Sequence, residues 1–205
     1  MPSALILITD GSEEIEFVTP YDVLTRAGFK VTSLGINLKN DFVTCTRNVR
    51  IIPDTTTPPE SPEHDILILP GGGPGAKTFC QSDVAQRLIR SYRDAGKYVA
   101  FICAATTALV ASVKGAGKTE GLESTKAVKV TSHPSVKNEI VNAGWDYAPD
   151  NERVVVDGKV ITSRGPGTAM GFSLKIVEVM LGKEKCKEVA EPMIVAPDLL
   201  ARLLG

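Results

Sequence analysis

Short apolar runs recur along this chain, and each is closed by acidic residues, glycine or a lone cysteine. Ala4 to Thr9 runs into Asp10-Gly11-Ser12-Glu13-Glu14, Asp65 to Leu69 into Pro70-Gly71-Gly72-Gly73-Pro74-Gly75, and Tyr98 to Ile102 into Cys103-Ala104-Ala105. Runs of this length without polar alternation predict strands buried on both faces. Lys30 to Leu34 and Ala127 to Thr131 predict further strands. The segments between them have helical spacing. In the first, Ile15, Phe17, Val18, Tyr21, Val23 and Leu24 can face a sheet, Ser12 is a candidate cap, and Pro20 predicts a kink or a break. Ser82 to Ala95 predicts a helix capped by Ser82, and the alanine-rich stretch after Cys103 predicts another through Ala111. Strands alternating with helices in this way predict an α/β domain, a mostly parallel sheet with helices on both faces.

The remaining segments add hairpins and short helices. Asn40 to Ile52 reads as paired extended segments around Arg47-Asn48, and Asp157-Gly158 joins Val154-Val155-Val156 to Lys159-Val160-Ile161-Thr162 in a second hairpin. A short helix is expected from about Ser135 to Asn142. Another should run from the candidate cap Thr168 to Leu181, and one more from Lys183 to Glu191. Residues 198–204 form an amphipathic tail that could cover the core or touch another subunit. Lys114 to Gly121 predicts a surface loop, since no strand enters it and the phosphate-loop spacing is absent.

Cys103 stands where the Tyr98–Ile102 strand turns into a helix. A side chain there points from the carboxyl edge of the sheet, where open α/β folds bind ligands, and the helix N–H groups favour a thiolate or an oxyanion. Three other predicted sites share that edge: Glu16 just beyond the first strand, the Gly71-Gly72 turn, and His133, which Pro134 holds extended at a strand exit. A thiol, an imidazole, a carboxyl group and converging N–H donors make a coherent covalent site. Arg164, at the start of the Thr168 helix, could bind an anion or anchor its loop.

Composition narrows the possibilities. The chain has 205 residues, 43% hydrophobic and 23% charged, with a formal net charge of -1. That is enough for one core, and no basic face implies nucleic acid. No stretch approaches the roughly 18 apolar residues of a spanning helix, so no membrane partner is expected. The start at Met1-Pro2-Ser3-Ala4-Leu5 shows no secretory pattern. Cys45, Cys80, Cys103 and Cys186 are far apart, without metal-ligand spacing. An intracellular protein with free thiols is expected, with no metal and no cofactor.

These motifs resemble a known family. The stretches Asp10-Gly11-Ser12-Glu13-Glu14-Ile15-Glu16, Leu69-Pro70-Gly71-Gly72, Phe101-Ile102-Cys103-Ala104, Thr131-Ser132-His133-Pro134 and Thr162-Ser163-Arg164-Gly165-Pro166-Gly167-Thr168 are similar to those of the parkinsonism-associated deglycases and glutathione-independent glyoxalases. That family lies within the superfamily of PfpI-type and glutamine-amidotransferase-like proteins. The resemblance covers nearly all of the chain and implies a flavodoxin-like three-layer αβα sandwich with a nucleophile elbow. It also implies Cys103 as nucleophile, Glu16 as the carboxyl bonded to it, His133 as the nearby histidine, and N–H groups of the Gly71-Gly72 turn and Ala104 as the oxyanion site.

By the same resemblance the substrate is a small dicarbonyl such as methylglyoxal, converted to lactate without cofactor. The alternative is a stress-protective redox sensor using the same cysteine, with deglycase or chaperone activity beside it. A homodimer is implied, with Arg26 and Arg47 near its boundary, in the cytoplasm and with the nucleus also open to it. Two departures stand out. Ala105 occupies a position where the family has glycine, and the connection around residues 113–126 is longer than in the short animal proteins. The tail 198–205 is also additional within what is expected to be a single domain, 1–205.

Overall fold

The computed structural model describes residues 1–114 and 122–204. In chain order its elements are β1 (Ser3–Ile8), α1 (Glu14–Arg26), β2 (Lys30–Gly35), the hairpin strands β3 (Val43–Thr44) and β4 (Arg50–Ile51), β5 (Ile66–Leu69), α2 (Gly73–Gln81), α3 (Asp83–Asp94), β6 (Tyr98–Ile102), α4 (Thr106–Lys114), α5 (Lys137–Asn142), β7 (Val154–Asp157), β8 (Val160–Ser163), α6 (Ala169–Leu181), α7 (Lys183–Ala190) and α8 (Pro197–Leu204).

The main sheet has the order β2-β1-β5-β6-β8-β7, and every neighbouring pair is parallel except β8 with β7. Successive residues of a strand face opposite sides, so β1 feeds both cores. Ala4, Ile6 and Ile8 pack with side chains of α1, α6 and α7, whereas Leu5 and Leu7 pack with those of α3 and α4. Helices on both faces of a mostly parallel sheet make the flavodoxin-like αβα sandwich. The order of the strands reverses between the adjacent β1 and β5, which opens a crevice at their carboxyl ends.

Four local expectations give way to tertiary context. Ser12 does not cap α1; its hydroxyl accepts the Thr9 N–H, and the Glu13 carboxylate caps the helix by accepting the Glu16 N–H at 2.9 Å. Helix α1 runs unbroken through Pro20, whose ring is buried along with Phe17, Val23 and Leu24, so side-chain packing holds the helix across the missing hydrogen bond. Thr168 does not cap α6; its Oγ1 accepts the N–H groups of Arg164 and Gly165, tightening the preceding turn.

The fourth is the predicted strand from Ala127 to Thr131, which is absent from the sheet. Both edges of β8 are taken, by β6 and by the antiparallel β7, so no ladder is left for it. The segment keeps only a single bridge, between Val130 and Tyr147, and hangs on the sheet through the Thr131 N–H, which donates to Thr162 Oγ1 at 2.9 Å.

Of the longer connection around 113–126, residues 115–121 lie outside the described residues. Its far end is clamped by α3. The buried Arg93 guanidinium donates to the carbonyls of Ser124 and Lys126, and Asp94 accepts from the Ser124 N–H and hydroxyl. The C-terminal tail forms α8, which packs on α6. Leu203 is buried, its carbonyl accepts from Lys175 Nζ at 2.7 Å, and Leu199 lies over Gly171.

Candidate active site

The parallel register brings the ends of β1, β5 and β6 side by side, and the turns that follow them touch backbone to backbone. The Glu13 N–H donates to the Gly71 carbonyl at 3.1 Å. Gly72 has φ 86°, and a Cβ there would lie 2.2 Å from the Gly11 carbonyl oxygen. A Cβ on Gly71 would lie 2.7 Å from the Cys103 Cβ and 2.8 Å from Glu16 Oε2. The glycines of this turn are therefore required by contact as well as by conformation.

Cys103 follows β6 with φ 63°, a left-handed conformation that costs a side-chain-bearing residue about 1–3 kcal/mol. The reversal presents its thiol at the sheet edge, where it is 8% exposed. The backbone N–H groups of Gly72 and Ala104 lie against the sulfur and favour its thiolate form. This is the nucleophile elbow that the motif implies.

Glu16 lies in the first turn of α1 with no exposed surface. Its Oε2 accepts the Gly71 N–H at 2.8 Å. The carboxyl lies in hydrogen-bonding range of the Cys103 thiol, although Oε1 makes no bond of full geometry and is buried without a partner. Burial pushes Glu16 up to about 7, against the lowering effect of its bonds from Cys103 and Gly71. Burial, and then the charge of Glu16, push the Cys103 thiol up to about 12, with the N–H groups of Gly72 and Ala104 opposing. Two adjacent buried anions are unfavourable, so the pair titrates as a unit that gives up one proton near neutrality and the second only in strong base. With the remaining proton on Glu16, its charge vanishes, its O–H can donate to sulfur, and the thiolate is what the N–H groups stabilise.

His133 reaches this edge by a tether of its own. Its backbone N–H donates to the Cys103 carbonyl at 3.2 Å, and its ring Nδ1 lies 2.8 Å from Ser135 Oγ. Cys103, Gly72, Ala104 and His133 line a cavity of about 560 Å³ together with Glu13, Arg47, Lys77, Cys80, Thr107, Ser135 and Glu139. Glu16 and Gly71 stand behind the thiol and do not line it. Among the described residues no group of His, Cys, Asp and Glu could hold a metal ion.

The three arginines separate. Arg47 lines the cavity, its turn held by Glu14, which accepts the Arg47 N–H at 2.8 Å and the Thr46 hydroxyl at 2.7 Å. Arg164 does not; its guanidinium is spent on the Asp150 carbonyl and carboxylate, so it anchors the turn before β7 and is not a free anion contact. Arg26 pairs with Asp22 at 2.8 Å on the outer end of α1, away from the cavity. Sequence reasoning missed Ser135, Thr107 and Cys80 as cavity residues. Only Ser135 carried a signal, a hydroxyl two residues after a histidine at a helix start.

The DJ-1/PfpI family model matches residues 2–179. Protein dj-1beta of Drosophila melanogaster is 43% identical over 195 residues, 95% of this chain and 97% of that protein. The glutathione-independent glyoxalase DJR-1.2 of Caenorhabditis elegans is 37% identical over 95% of this chain and 97% of its own length. The crystal structure of Drosophila DJ-1beta superposes with a TM-score of 0.83 and 41% identity, covering 95% of this chain and 98% of that one. This chain belongs to the DJ-1/PfpI family, and with membership comes catalytic or redox activity of the DJ-1 type centred on a cysteine.

The Glu16 shift makes stability depend on pH. Folding raises its carboxyl from 4.5 to about 7, so the native state holds this proton more tightly than the unfolded chain. The contribution is fully present below pH 4.5 and is lost as pH rises through about 7. The shift corresponds to roughly 3 kcal/mol. Urea denaturation across that range should show wild type losing stability relative to Glu16→Gln, which cannot ionise. Parallel pH profiles for the two proteins would contradict the assignment.

Proposed function

We propose that this DJ-1/PfpI family member is a glutathione-independent glyoxalase that converts methylglyoxal and water to lactate. The observation that carries the reading is the fully buried Glu16 carboxyl set against the Cys103 thiol at the edge of a cavity, with the backbone N–H groups of Gly72 and Ala104 facing the sulfur. The Caenorhabditis elegans relative, a glutathione-independent glyoxalase, supports it.

In this reading the Cys103 thiolate adds to the aldehyde carbon and forms a hemithioacetal. The Gly72 and Ala104 N–H groups hold the charge that develops on oxygen; one such donor is worth about 3 kcal/mol in related reactions. The hydrogen on the former aldehyde carbon is then moved to the neighbouring carbonyl carbon through an enediol, with Glu16 and His133 handling the protons between them. Water releases lactate from the resulting thioester and restores the thiol. The carbon that becomes the carboxylate is oxidised and its neighbour is reduced, so no cofactor is needed. Purified wild type should form lactate from methylglyoxal without glutathione or metal, and Cys103→Ala should lose that activity. Full lactate production by folded Cys103→Ala would refute the mechanism.

A second reading is favoured by the unpartnered Glu16 Oε1 beside the thiol. Peroxide can oxidise the Cys103 thiolate stepwise to a sulfinate, each step reducing one peroxide, and the protonated carboxyl can then bond to a sulfinate oxygen. Burial raises the thiols of Cys45, Cys80 and Cys186, and none of those cysteines has a proton partner like Glu16. Mild peroxide followed by peptide mapping should place added oxygen on Cys103 first. Equal uptake by all four cysteines would remove this reading.

A homodimer is part of the proposal. Ile15, Val18, Val49 and Ile52 are exposed large apolar residues on α1 and around β4, beside a groove lined by Phe17, Tyr21 and Ile51. A second copy laying its own α1 on this patch would bury it, with Arg26 at the edge. Sedimentation should give a dimer for wild type and a monomer for Val18→Glu combined with Ile52→Glu; a wild-type monomer at micromolar concentration would exclude it.

A further inference from the structure

The His133 ring is held by a residue two positions along the chain. Nδ1 accepts the Ser135 backbone N–H at 3.2 Å and lies closer still, 2.8 Å, to the Ser135 hydroxyl. An amide N–H can only donate, so the Nδ1 lone pair must face it, and the proton of the neutral ring must then sit on Nε2. Local geometry enforces the pairing. His133 is extended at φ -62°, ψ 139°, and Pro134 begins the short 3-10 turn that brings Ser135 back against the ring. Among the described residues Nε2 makes no hydrogen bond to protein, and both His133 and Ser135 line the cavity. Nε2 is therefore the nitrogen left to meet a ligand, and in the neutral ring it is a donor.

We propose that Ser135 is a positioning residue that fixes His133 in the Nε2–H tautomer, so that His133 enters the reaction as the proton donor to the substrate oxygen. This rests on the glyoxalase reading above and divides the proton work left undivided there. Glu16 passes the shared proton of its pair to the alkoxide formed when Cys103 adds to the aldehyde, and is left as a carboxylate. That carboxylate removes the hydrogen of the hemithioacetal carbon as a proton, while Nε2–H gives its proton to the neighbouring carbonyl oxygen and the enediol forms. Glu16 then returns its proton to the second carbon, Nε2 recovers one from the hydroxyl on the first, and the thioester remains. Both groups end as they stood after the addition. The Ser135 hydroxyl matters because its contact is the shorter of the two; without it the long, exposed N–H bond to Nδ1 competes with water.

The test is nitrogen NMR of protein carrying labelled histidine, run beside steady-state kinetics. In the neutral ring, wild type should carry the proton on Nε2. Ser135→Ala should show a new population protonated on Nδ1, with kcat lowered several-fold and KM little changed; Ser135→Thr, which restores a hydroxyl, should recover both. An Nδ1–H tautomer in wild type would overturn the proposal. So would a Ser135→Ala protein with unaltered spectrum and kcat, or a failure of Ser135→Thr to rescue. If wild type forms no lactate the glyoxalase reading fails on its own account. The spectra still decide whether Ser135 sets the tautomer, and a tautomer indifferent to the hydroxyl overturns that as well.

Discussion

The site depends on one buried carboxyl group set against one thiol. Glu16 has no exposed surface, and one of its oxygens accepts the Gly71 N–H while Oε1 goes without a partner. Removing a carboxylate from water is costly unless it is fully paired, so the group holds its proton up to about 7. Cys103 beside it cannot ionise cheaply while Glu16 is charged. The consequence is a single proton shared by two groups, available near neutrality at the one point where backbone N–H donors gather. Neither residue has this property alone.

The scaffold keeps the two groups close by letting backbones touch. Side chains on Gly71 or Gly72 would collide with Cys103, Glu16 or the Gly11 carbonyl, so the β5 turn can press against the β1 turn only as glycine. The Cys103 backbone is held at positive φ between these contacts, and the rigidity of the parallel ladders on β6 sustains that strain. Glu13 contributes twice, capping α1 at the Glu16 N–H and bonding the Gly71 carbonyl through its own N–H. The capping of α1 and the approach of the glycine turn are thus a single arrangement.

Much of this was legible from local pattern. The β6 run, the cysteine after it and the alanine-rich helix beyond predict an elbow because strand, turn and helix signals are each local. The Asp157-Gly158 hairpin and the Ser82 cap were readable for the same reason, and Ser82 does accept the Ala85 N–H. The segment from Ala127 to Thr131 was misread because its residues suit a strand equally well. What denied it a place was the occupancy of both β8 edges, a property of the assembled sheet. Ser12 and Thr168 have side chains fit to cap a helix, yet each found a nearer backbone partner in a turn shaped by the rest of the fold. Arg164 could have met an anion by its position; Asp150, brought from fourteen residues away by the β7–β8 hairpin, took the guanidinium instead.

By itself the sequence determined most of the strands and helices, though neither α2 nor the fate of Ala127 to Thr131, and with them the side-chain chemistry of the site and the edge of the sheet on which it gathers. These follow from periodicity, turn residues and the rule that parallel strands end together, all of which act over a few residues at a time. Only the tertiary structure decided the strand order, the depth at which Glu16 is buried, and the tether that brings His133 to the cavity without a strand beneath it. Those depend on which surfaces meet between parts of the chain far apart in sequence, and burial, which shifts the protons here, exists only once they have met.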